Sequence, residues 1–198
     1  MALNDELACI AFDGHRRIAS GSLARVVLAA KHALDRGVVG PVLIFDDRSG
    51  RSVDVDFRGT DDEVLARLPA PAGAEAPVAR GPGRPKLGVV AREVTLLPRH
   101  WDWLGSQPGG ASATLRRLVE EARRASSGSD RRREASEAVD HFMLAMAGNL
   151  PDYEEASRAF WREDSDRFIA LTDAWPADVR EHVRHLAVRA WDGAHADA

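Results

Sequence analysis

The 198-residue chain is 44% hydrophobic and carries a formal charge of −4, with 27 Lys and Arg against 31 Asp and Glu. That much apolar material excludes disorder throughout, and the length has room for one ordinary domain plus a smaller one. The single cysteine, Cys9, excludes a disulfide framework within the chain.

No run of about 18 apolar residues is present to cross a membrane as a helix. Residues Met1 to Glu6 lack a basic stretch followed by an apolar one, so no membrane association and a cytoplasmic address are expected. Charge is distributed unevenly. Residues 1–79 hold nine basic and 12 acidic side chains, 80–133 hold 12 and five, and 134–198 hold six and 14. A basic centre between acidic ends suits a polyanion site, or complementary contacts within or between subunits.

Residues 1–68 read as an α/β unit of order β-α-β-β-α. The run Leu7 to Phe12 is a buried strand, in which Cys9 serves as a small hydrophobe. Leu23, Val26, Val27, Ala30 and Leu34 then mark the apolar face of a helix, with Ser20 or Ser22 as N-cap and Gly37 as stop. Val42 to Phe45 and Ser52 to Phe57 flank Asp47-Arg48-Ser49-Gly50, a hairpin pattern. Thr60, with Glu63 three residues on, opens a short helix through a capping box.

Residues 69–86, with Pro69, Pro71, Pro77, Pro82 and Pro85 among glycines, form a linker. A β-rich run follows over 87–97. Pro98 then starts a helix carrying Trp101 and Leu104, and Gln107-Pro108-Gly109-Gly110 ends it. Ser112 caps a second helix, and 87–125 is thus a strand-helix-helix segment. After a break at Ser126-Ser127-Gly128-Ser129, residues 131–192 read as a helical bundle with helices near 131–147, 152–161, 164–174 and 177–191. Its core candidates are Phe142, Met146, Tyr153, Phe160, Trp161, Phe168, Leu171, Trp175 and Leu186. The fold class expected is α+β.

Val94 to Pro98, Trp101, Leu104 and the stretch Gly110 to Val119 make residues 92–125 resemble the ribbon-helix-helix DNA-binding fold. In that fold two chains pair their strands into a ribbon that enters the major groove, while the second helix's N-terminus holds a phosphate. The resemblance implies a homodimer on double-stranded DNA, with Arg92, Arg99, Ser112, Arg116 and Arg117 among the contacts. Upstream, Arg80-Gly81-Pro82-Gly83-Arg84-Pro85-Lys86 resembles an AT-hook core, which would add Arg84 and Lys86 in a minor groove. The same residues also read as a Pro-rich linker with incidental charge.

Across the whole chain, Arg16 to Gly21, Pro41 to Asp47, Gly83 to Val90, Leu97 to Trp101 and Met146 to Pro151 resemble a bacterial family of unknown function. That resemblance implies no activity.

Three smaller constellations stand beside these. Asp46, Asp47, Asp54, Asp56, Asp61 and Asp62 offer oxygen ligands to a hard cation, or form the solvated side of a hairpin. His182 and His185, with Glu181 and His141, offer part of a zinc set. Ser20-Gly21-Ser22, preceded by Arg16 and Arg17, offers an anion a helix start, or simply caps that helix. No hydrolase or dinucleotide motif is present, and no cofactor is implied. The leading functional expectation is a DNA-binding regulator. One alternative is an interaction or assembly module whose basic centre, including Arg123 and Arg124, pairs with the acidic residues of 134–198. A second is a small-molecule enzyme, which would need a pocket lined by perturbed ionisable groups.

Overall fold

Strand β1 (Ala8–Asp13) is apolar on both faces and so requires a layer on each side of its sheet. It lies between β2 (Arg16–Ser22) and β3 (Val42–Asp46) in an antiparallel sheet of order β2-β1-β3. The computed structural model describes residues 8–38, 40–69, 90 and 92–195. Within them the sheet is accompanied by α1 (Leu23–Asp35), α2 (Asp61–Arg67), α3 (Pro98–Ser106), α4 (Gly110–Ala147), α5 (Tyr153–Trp161), α6 (Ser165–Thr172) and α7 (Ala177–His195). The fold is α+β.

The chain divides into two units, one of residues 1–74 with 129–198 and the other of residues 75–128. In the first, the alternation of β1 sends Cys9 and Ala11 to one core, with Val26, Val27 and Ala30 of α1, Ile44 of β3 and Val64 of α2. Ile10 and Phe12 point the other way, into a larger core with Phe45, Phe142, Phe160, Phe168, Val179 and Val183. The N-terminal strands and the C-terminal helices, separate blocks in sequence, therefore share one interior. Burying a side chain such as Phe12 or Ile10 contributes about 1.5–3 kcal/mol, and no single layer could cover both faces of β1.

Local signals placed most ends correctly. Ser22 is the N-cap residue of α1, although its side chain makes no capping bond, and Gly37 follows the helix at φ +79°. Thr60 and Glu63 close the capping box of α2, with Thr60 N donating to Glu63 Oε2 at 2.8 Å and Glu63 N to Thr60 Oγ1 at 3.3 Å. Gly50 sits at φ +65°, where a Cβ would lie 2.0 Å from the Ala138 carbonyl oxygen, so the loop after β3 approaches α4 only with glycine there.

Several expectations are corrected. The second strand is β2, a polar stretch with no period-two pattern, and it runs through Ser20, which had been a candidate cap. The sheet edge it covers belongs to a β1 that needs hydrogen-bonding partners on both sides. The second arm of the expected hairpin shrinks to one bridge between Ser52 and Phe45, while Val53, Val55 and Phe57 pack on the smaller core. No helix break occurs at 126–129. Gly128 costs a helix only about 1 kcal/mol, and pairs such as Arg117–Glu121, Arg124–Glu120 and Arg133–Glu137 reinforce α4 on both sides of it. Among the expected core residues Trp161 is exposed, and Tyr153 and Leu171 are partly buried.

Phe142 lies where both layers of the larger core meet, with its ring 5.6 Å from Phe12 and 5.1 Å from Phe45. Phe142→Ala is expected to cost about 3–5 kcal/mol of unfolding free energy in urea titrations. Leu144→Ala, two residues on and 63% exposed on the other side of the helix, should stay within about 0.5 kcal/mol of the parent.

Candidate functional site

In the first unit, α7 lies against β2 and the two elements enclose a cleft of about 330 Å³. Arg17 and Ser20 line it from β2, Asp47 from the loop after β3, and Glu181, His182 and His185 from α7. Helical spacing puts His182 and His185 on one face, with their rings near-parallel at 6.4 Å. The side chain of Asp178 reaches across to accept a hydrogen bond from the Arg17 backbone N–H at 2.8 Å, which fixes the helix to the strand edge. Arg189 holds Asp47 from the next turn of α7, at 2.8 Å to its Oδ2.

His182 forms the floor. It is 5% exposed, and its ring packs 4.6 Å from Phe142 and 6.1 Å from Phe12. Burial lowers its pKa to about 4, and the neighbouring His185, Arg17 and Arg189 act in the same direction while Asp47 opposes them. At neutral pH it is thus a neutral imidazole, with Nε2 3.6 Å from Asp47 Oδ1, beyond hydrogen-bonding distance. Cys9 also borders the cleft, but burial, with Asp46 and Asp47 nearby, pushes its thiol up to about 11, so it is no ready nucleophile.

The basic segment lies in the other unit. Arg84 and Lys86 fall outside the described residues, as do the AT-hook-like stretch and most of the expected linker. No strand forms over 92–97, and 87–89 and 91 lie outside the described residues. Among the described residues 92–97 has no strand neighbour, so the strand of the ribbon-helix-helix resemblance is not seen within this single chain. A Pro-started helix, a glycine turn and a second helix do follow, as α3 and α4. Arg92 and Arg99 are exposed, and Arg116 donates to Ser112 Oγ at 3.2 Å. Arg117 pairs with Glu121 at 2.9 Å, while Arg123 and Arg124 share Glu120 at 2.9 and 3.2 Å. Those pairs lie within α4 and involve none of the acidic residues of 134–198.

A family model described as an uncharacterised protein conserved in bacteria, DUF2239, matches residues 8–187, nearly the full length. The chain belongs to DUF2239. No curated protein and no solved structure matches it.

The residues that this DUF2239 chain gathers in its cleft stood in three unrelated sequence patterns: a helix-start anion site (Arg17, Ser20), an acidic cluster (Asp47) and a histidine pair (Glu181, His182, His185). Nothing in their spacing showed that β2 and α7 would meet. Among the described residues no group of three or more His, Cys, Asp and Glu side chains could hold a metal ion, and His141 is occupied elsewhere, with Nδ1 3.0 Å from the Ser49 carbonyl. Chemically the cleft offers opposed charges above a buried neutral ring.

The depressed pKa of His182 carries a stability consequence. Between pH 6.5 and about 4 the unfolded chain binds a proton that the folded chain refuses, so stability rises with pH across that window and is lost as pH falls through it. The size of the effect is on the order of 3 kcal/mol. Urea midpoints measured from pH 7 down to about 4 should fall in the parent protein and fall markedly less in His182→Phe, which keeps a ring beside Phe142 but cannot titrate.

Proposed function

We propose that this chain is a protein-interaction module that presents residues 92–128 to an acidic partner surface, acting in the cytoplasm. The observation that carries the reading is the side-chain chemistry this unit leaves in solvent. Trp101 and Trp103 are 42% and 49% exposed, and Val94, Leu97 and Val119 are exposed as well. Tryptophan and arginine are enriched at the centres of protein interfaces, where a ring fills a pocket and a guanidinium meets a carboxylate. Arg92, Arg99 and Arg116 have no carboxylate partner among the described residues, which makes them the complement to an acidic partner.

The second reading is the dimeric DNA-binding regulator, and those same three guanidinium groups, with Ser112 in the first turn of α4, favour it. The exposed tryptophans speak for the protein partner, because non-specific DNA contact relies on cations. No helix among the described residues is long and apolar enough to cross a membrane, so neither reading requires a bilayer.

The two readings part in one pair of experiments. A photo-crosslinking residue in place of Trp103 is expected to trap a defined acidic protein in cells, or a second copy of the chain, whereas the same residue in place of Arg58 traps neither. Trp101→Ser combined with Arg99→Glu should abolish the adduct. Duplex DNA, titrated by fluorescence anisotropy at about 50 and 200 mM salt, should show no tight complex; binding that weakens by roughly 10³-fold across that range would instead establish the nucleic-acid reading.

A further inference from the structure

The charges in the cleft between β2 and α7 are not all satisfied alike. Asp47 is held by Arg189, whose Nη1 reaches both its Oδ2 at 2.8 Å and its carbonyl oxygen at 3.2 Å. Arg17 and Glu181 meet only loosely, at 3.5 Å, and the Glu181 side chain is 64% exposed. An ion pair so exposed contributes little in water and opens easily. Arg17 and Glu181 are therefore the loosely held charges, one of each sign, and Asp47, held by Arg189 through Oδ2, keeps Oδ1 toward His182 at 3.6 Å.

The floor carries a second, independent observation. His182 is a polar side chain buried to 95%, lining the cleft without a hydrogen bond among the described residues; its approach to Asp47 at 3.6 Å is too long. Its ring nitrogens are not among the buried atoms left without a partner, so they open onto the cleft, where a bound molecule can hydrogen-bond to them.

We propose that this cleft binds a small zwitterion, a free amino acid or a close amino-carboxylate, with its carboxylate on Arg17, its ammonium between Glu181 and Asp47, and His182 hydrogen-bonding from below. A guanidinium presents parallel N–H donors that match a carboxylate, and a pair of carboxylates suits an ammonium. A neutral imidazole bonds to the ligand without repelling the ammonium. A simple anion would be set against Asp47 and Glu181, and a simple cation against Arg17, so the lining selects a molecule that carries both charges. At about 330 Å³ the space lies at the small end of ligand sites, which run from about 300 to 1,000 Å³.

The test is isothermal titration calorimetry of the full-length protein with the standard amino acids taken singly, followed by the N-acetyl and carboxamide derivatives of the best binder, with acetate and inorganic phosphate as single-charge probes. Saturable binding of a free amino acid is expected, weakened roughly tenfold or more by blocking either end, and weakened similarly in Arg17→Gln and in Glu181→Gln. The His182 ring nitrogens should shift in ¹⁵N spectra on binding. The proposal is overturned if no amino acid binds at millimolar concentration, if blocked derivatives, acetate or phosphate bind as well as the free amino acid, or if Arg17→Gln binds like the parent. The comparison of derivatives uses the unaltered protein, so it decides the question even where a variant folds poorly.

Discussion

The first unit depends on one constraint: β1 is buried on both faces. A strand that carries Ile10 and Phe12 on one side and Cys9 and Ala11 on the other cannot border solvent, and it must hydrogen-bond on both edges. Helices α1 and α2 cover one face, and α4 and α7, with α5 and α6 behind them, supply the other. Phe142, packed edge-on against Phe45 and His182 and tilted against Phe12, is where that second layer grips the sheet. The cleft is a by-product of the same packing, because a helix drawn onto the sheet by Val179 and Val183 brings Glu181, His182 and His185 to the edge at β2.

Electrostatics follows the same geometry more than it follows the block charges. The strongly acidic last third complements arginines of the first third: Arg17 bonds to Asp178 and Glu181, and Arg48 to Glu134. The arginines of α4 are served by glutamates three and four residues away on their own helix. Local pairing of this kind is independent of tertiary structure, and among the described residues Arg92, Arg99 and Arg116 have no carboxylate partner. The unit's exposed tryptophans stand beside these cations as its other distinctive surface feature.

Much of the fold was legible where one local cause dominates. The capping box at Thr60, the apolar stripe of α1, the Pro start of α3 and the helices after Leu150 depend on residues within a turn or two of each other. Strand β2 was not legible, because its residues have no alternation and pair only because β1 requires a neighbour. The break at 126–129 was misread because serine and glycine weaken a helix without ending it when strong formers flank them. Six of the nine expected core side chains of the C-terminal region are fully buried, and Trp161 is exposed because α5 turns it away from that core.

By itself the sequence determined the fold class, most helix ends and the buried character of β1, since these follow from composition, periodicity and capping over short spans, and its motifs along the full length marked the bacterial family. Only the tertiary structure decided that the two ends of the chain form one interior, that 92–97 pairs with no strand among the described residues, and that Arg17, Asp47, Glu181 and His182 share a cleft. The physical reason is range. Helix signals are exchanged between neighbours three and four residues apart, whereas the cleft joins side chains more than a hundred residues apart that meet only once both faces of β1 are covered.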